Sequence, residues 1–117
     1  VKLSSKEIRY AVKSALAEDI GSGDATTLAT VPKNLNAVAL MRARENLVVA
    51  GIEFAEIAFY ELSRKIEIKK IVRDGQKIST GKIVLKISGP TRAILTAERV
   101  ALNFVQRLSG IATLTSQ

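Results

Sequence analysis

At Gly89-Pro90 the hydrophobic period of the chain changes. Before this point, "KIEIKKIV" (65–72) alternates apolar and charged residues, the two-residue period of a strand with one charged face. "KIVLKISG" (82–89) follows it as a further short apolar strand. After this point, Ile94, Leu95, Ala97, Ala101, Leu102, Phe104, Val105 and Leu108 fall on one broad arc at about 100° per residue, the period of a helix. Proline suits the first turn of a helix, where its missing N–H leaves no bond unmade. Strands that run straight into an amphipathic helix, with no linker between, must bury that helix on their sheet. The expected class is α+β: a small, mostly antiparallel sheet packed with helices.

The rest of the chain fits this plan. Ser4 and Glu7 form a Ser-x-x-Glu capping box, and Ile8, Val12, Ala15 and Leu16 follow at helical spacing. A first helix is expected over 5–18. "EDIGSGDATT" (18–27) then reads as a loop. "AVALMRARE" (37–45) reads as a strand, part of it buried on both faces, and "NLVVAG" (46–51) as a turn and a short strand. "GIEFAEIAFYELS" (51–63) places Ile52, Ala55, Phe59 and Leu62 on one stripe, a second helix. Asp74-Gly75 and Thr80-Gly81 mark turns around a short strand at 76–78. The last helix is expected over about 91–108.

With 117 residues, 47% of them apolar, the chain can bury one core. It has no Cys and no His, which removes disulfides, thiolate nucleophiles, imidazole bases and nearly every zinc or haem site. No apolar run approaches the length of about 18 residues that a membrane span needs, and "VKLSSKEIRY" holds no signal-peptide core. A cytoplasmic protein without membrane contact is expected. The net charge of +7 is uneven: residues 1–61 carry 7 Lys and Arg against 8 Asp and Glu, and residues 62–117 carry 11 against 3. A basic half can face an anionic partner or can be a solvated lysine surface.

Several segments could carry chemistry. Glu18, Asp19 and Asp24 are three carboxylates in a Gly-rich loop, a set that can hold metal or move protons, although such loops are common after helices. "GSGDATT" lacks the Gly-Lys-Thr ending and the preceding strand of a phosphate loop. "VRDGQKISTGKIVLKISG" (72–89) resembles the hammerhead-type β units of biotinyl and lipoyl carriers. No Met-Lys-Met or Asp-Lys-Ala tip is present to be modified, so a structural β unit is the better reading. Aromatics are 4% of the chain and none interleaves with the basic residues, which argues against a nucleic-acid stacking platform. No helix-turn-helix partner precedes the last helix. A stand-alone module for an anionic partner stays as the alternative from a different class.

On the last helix Arg99, Asn103 and Gln106 lie together opposite the apolar arc, while Glu98 falls inside it. A carboxylate in that arc demands a partner. Arg99 offers a fork of donors to an anion, with amides beside it.

"EDIGSGDATT", "ARENLVVAG" (43–51) and "DGQKISTGKIVLKISGPTRAILTAERVALNFVQRLSGIAT" (74–113) together resemble quinolinate phosphoribosyltransferases, in order and through essentially the whole chain. The most specific part is Ala-Glu-Arg-x-x-Leu-Asn-x-x-x-x-Leu-Ser-Gly-Ile-Ala-Thr. A molybdenum-transport-associated paralogue shares the layout, but "EDIGSGDATT" fits the phosphoribosyltransferase better. The resemblance implies a carboxylating nicotinate-nucleotide pyrophosphorylase of NAD biosynthesis. Such an enzyme converts quinolinate and phosphoribosyl pyrophosphate to nicotinate mononucleotide, pyrophosphate and carbon dioxide, with magnesium. It implies an N-terminal α/β-hammerhead domain over residues 1–108 and, over 109–117, the start of a connection into a C-terminal barrel that this chain lacks. It also implies a homodimer in which the N-terminal domain of one subunit covers the neighbour's barrel. The Arg of the motif, Arg99, then reaches quinolinate across the interface. No catalytic residue and no metal ligand carries over, and the chain alone is expected to be inactive. Arg44, Asn103, Arg107 and Ser109 sit in matching motifs with a structural or interfacial part; Asp24, Thr26 and Thr27 belong to a structural or subunit-contact loop.

Overall fold

A computed structural model describes residues 3–21 and 31–116. Helix α1 spans Ser5–Gly21, β1 Asn36–Arg42, β2 Leu47–Val48, α2 Ile52–Leu62, β3 Glu67–Lys70, β4 Lys77–Ile78, β5 Ile83–Pro90 and α3 Thr91–Thr115. This is the expected α+β arrangement. Residues 22–30, with Asp24, Thr26 and Thr27, lie outside the described residues.

The capping box forms as read. Glu7 N–H donates to Ser4 Oγ at 3.2 Å, and Ser4 N–H donates to Glu7 Oε1 at 3.0 Å. Ile8, Val12 and Leu16 form the buried stripe of α1. The helix runs on to Gly21, so Glu18 and Asp19 stand on its last turn and not in a loop. Arg9 and Lys13 reach Glu61, which ties the outer face of α1 to α2.

The main sheet has the order β1-β5-β3, both pairings antiparallel. The register puts Ala39, Ile87 and Ile68 in one row facing inward, and Leu40, Lys86 and Lys69 in the next row facing outward. Among the described residues, helices cover the inner face only. This corrects the expectation that β1 is partly buried on both sides: Val38 is 62% and Leu40 44% exposed, while Met41 is buried. A bulge between Met41 and Arg42 breaks the alternation, and both Val84 and Leu85 of β5 are buried beside it. Strands β2 and β4 form a separate antiparallel pair. At the end of β5, Gly89 has φ +149°, and a Cβ there would stand 3.0 Å from Ile66 Cα, so the strand can pass this close only as glycine.

Helix α3, about 37 Å long at the ordinary rise per residue, crosses β5, β1 and β2 and packs most extensively on α2. Ala97, Ala101 and Val105 form the centre of its buried face, and Phe104 stacks on Phe54 with ring centroids 4.9 Å apart. Phe59, Leu85, Ile87, Val12, Val49 and Val72 are the largest fully buried side chains. The helix does not end at 108 but runs on to Thr115. The Ser109-Gly110 step lies inside this helix, and Ser109 makes tertiary bonds described below.

Candidate functional site

The open face of α3 is where the sequence placed it. Arg99, Asn103 and Gln106 are all exposed. The Arg99 side chain is 64% exposed, and its Nε lies 3.3 Å from Asp19 Oδ1. Asp19, on the last turn of α1, is only 22% exposed. The two helices enclose a groove of about 280 Å³ lined by Ala15, Glu18, Asp19, Val100, Asn103, Phe104 and Arg107. The structure therefore brings Arg99, Asn103 and Arg107 to the same flank of α3 as two of the three candidate carboxylates.

Glu98 departs from expectation. It is exposed, not held in the apolar arc. The buried face of α3 is narrower than the apolar arc of the sequence, with Leu95 41% exposed and Leu102 half-buried. This flank overhangs the end of β1, where Glu98 and Leu102 line a second groove with Arg42 and Arg44. Arg44 thus lies away from Arg99, on the other flank of the helix.

The framework behind the site rests on bonds that sequence reasoning missed. Ser109 is fully buried. Its Oγ accepts from Ala50 N–H at 2.9 Å and donates to Ala50 C=O at 3.1 Å. One turn on, Thr113 Oγ1 accepts from Val48 N–H at 2.9 Å and donates to Ser109 C=O at 2.7 Å. The "ARENLVVAG" and "LSGIAT" motifs meet here: two hydroxyls four residues apart on α3 clamp the backbone that runs from β2 into α2. That i, i+4 spacing was the available signal. Next to the clamp, Gly51 has φ +89°, and a Cβ there would come within 2.9 Å of Leu108 Cδ1. Asp74, read only as half of a turn, accepts from the N–H groups of Gly51 and Ile52 at 3.3 and 3.2 Å. Its carboxylate closes the positive end of α2. Asn46 Oδ1 in turn accepts from Thr80 N–H at 3.0 Å and ties the second turn to the same segment.

Chemically, Arg99 is suited to binding an anion. A guanidinium stays protonated, so it can grip and orient an anion but takes no part in proton transfer. Its ion pair with Asp19 lies at Nε, and its two Nη groups form a planar fork suited to a carboxylate or phosphate. Among the described residues, no three acidic side chains come together in a way that could hold a metal ion.

Comparison with known proteins places this geometry. The family model for the N-terminal domain of quinolinate phosphoribosyl transferase matches residues 24–109. The chain is 41% identical over 112 residues to quinolinate phosphoribosyltransferase (decarboxylating) 2b, mitochondrial, of Nicotiana tabacum, covering 95% of this chain and 32% of that protein. It is 40% identical over 110 residues to the chloroplastic nicotinate-nucleotide pyrophosphorylase (carboxylating) of Arabidopsis thaliana, covering 93% and 32%. The solved nicotinate-nucleotide pyrophosphorylase of Francisella tularensis superposes with a TM-score of 0.90 at 35% identity, over 97% of this chain and 41% of that one. The chain spans about a third of the length of the curated relatives it matches.

Proposed function

This chain belongs to the quinolinate phosphoribosyltransferase family, and on that premise we propose that it acts as the N-terminal domain of an enzyme of NAD biosynthesis. The enzyme joins quinolinate to phosphoribosyl pyrophosphate and yields nicotinate mononucleotide, pyrophosphate and carbon dioxide. The carrying observation is Arg99, 64% exposed on the open face of α3. Quinolinate is a dianion, and a guanidinium is the side chain that best grips a carboxylate through two parallel bonds. Holding that carboxylate in place while charge moves on the ring is the kind of electrostatic help the reaction needs. Arg99 binds and orients; bond making and breaking belong to groups outside this domain. In this reading the enzyme is a homodimer, and Arg99 reaches quinolinate in the neighbouring subunit's barrel. The domain alone is inactive. Magnesium enters with phosphoribosyl pyrophosphate, and the described residues do not fit a site for it.

Among the described residues no helix is long and apolar enough to cross a membrane. We propose the cytoplasm as the compartment of the enzyme.

The test uses the full-length enzyme that carries this domain. Arg99→Ala raises KM for quinolinate at least about tenfold, the scale of a lost charged hydrogen-bonding partner, and leaves KM for phosphoribosyl pyrophosphate in place. Arg99→Lys recovers only part, because it keeps the charge and loses the fork. Mixing Arg99→Ala subunits with subunits disabled in the barrel restores activity through hybrid dimers. Unchanged turnover and unchanged quinolinate KM in both Arg99 variants would sink the assignment, and no recovery on mixing would sink its placement across the interface.

A further inference from the structure

We propose that Asp19 is a positioning residue for Arg99, one that selects which edge of the guanidinium meets the substrate. The proposal rests on the reading of Arg99 given above. A guanidinium can hold a carboxylate by its side edge, Nε with one Nη, or by its end, the two Nη groups. Asp19 Oδ1 stands 3.3 Å from Nε, an ion pair on the side-edge half of the group. The end-on fork is left for a ligand.

The two partners are unequal in a way that suits this division. Asp19 is 22% exposed and sits on α1, a helix whose stripe of Ile8, Val12 and Leu16 is anchored in the core. Arg99 is 64% exposed on α3. The carboxylate is thus the more enclosed member and the guanidinium the more exposed one. An unanchored arginine has many rotamers to lose on binding, and an anchor at Nε removes part of that loss beforehand.

The sign of the effect separates positioning from simple electrostatics. Asp19 neutralises Arg99, so if charge alone governed affinity for a dianion, removing Asp19 would tighten binding. If orientation governs, removing it weakens binding. In the full-length enzyme, Asp19→Ala is expected to raise KM for quinolinate about fivefold, the upper range for a partly exposed ion pair. KM for phosphoribosyl pyrophosphate and kcat hold. Asp19→Asn also loses the ion pair and raises KM for quinolinate in the same direction. In an Arg99→Ala background Asp19→Ala adds no further rise. A quinolinate KM that is unchanged or lowered in Asp19→Ala overturns the proposal, as does a rise of equal size in the Arg99→Ala background. Should the alanine variant not fold, Asp19→Glu carries the test: it keeps the charge but shifts the acceptor, so KM rises, and an unchanged KM counts against positioning. If Arg99→Ala itself leaves quinolinate KM untouched, the failure lies with the role of Arg99 and is read separately.

Discussion

One hydroxyl, that of Ser109, satisfies both the N–H and the C=O of Ala50 while itself fully buried. Replacing it with Ala leaves two main-chain groups without that partner in a space too tight for easy rearrangement. An unsatisfied buried polar group costs about 1–3 kcal/mol, so Ser109→Ala should lower the urea midpoint by that equivalent with no change in m-value. Gln106→Ala, on the exposed side of the same helix, should stay within about 0.5 kcal/mol of wild type. Equal stability of the two variants would contradict the clamp. Ser109 also shows why single residues were hard to assign from sequence. Its type is compatible with a helix end, and the Gly that follows strengthens that reading. Its bonding partner lies 59 residues away, and no local pattern carries that pairing.

Elements were more legible than residues, and the reason lies in periodicity. The stripe of α1, the stripe of α2 and the turn-bounded strands each repeat a local signal several times, so existence and type follow directly. Their ends depend on single bonds. The N-terminus of α1 was readable because the capping box is itself local, and it gives that helix a pH dependence. Glu7 is held below the ordinary carboxylate range, first by the backbone N–H of Ser4 and then by the Ser4 hydroxyl. A carboxylate with a lowered folded-state pKa stabilises above its unfolded value, and the gain is lost as pH falls through the folded one. The α1 cap therefore weakens on acidification. Glu7→Gln keeps a side chain that can close the box but removes this titration. Helicity followed by circular dichroism from about pH 7 to about pH 3 should fall less steeply in Glu7→Gln than in wild type; parallel curves would assign the acid loss to other groups. The face of β1 was misread for the opposite reason. Its apolar run looks two-sided in sequence, but among the described residues the β1-β5-β3 sheet has helices on one side only, and strand composition does not say how many layers a fold has.

For the molecule as a whole, the question is what the excess of positive charge in residues 62–117 is for. Part of it lies on the outer face of the sheet, where Lys69 and Lys86 stand directly opposite each other on neighbouring strands beside exposed Leu40. Like charges in that position repel, and a bound polyanion would relieve them. A nucleic-acid surface, however, needs flat groups on which bases can stack. The aromatic residues are elsewhere: Phe54 and Phe104 stack on each other, Phe59 is buried, and Tyr10 and Tyr60 lie on α1 and α2. The charge is therefore a general attractor without a reading surface, in keeping with the role we propose in an enzyme that acts on small anions. Fluorescence anisotropy of a labelled single-stranded oligonucleotide should show weak binding at about 50 mM salt that disappears near 150 mM, since a purely electrostatic complex weakens with the logarithm of salt. Saturable binding that survives at the higher salt would instead require contacts beyond charge. It would move the balance toward a nucleic-acid role for the sheet face, while leaving the Arg99 flank, on another side of α3, to be judged by the substrate experiments alone.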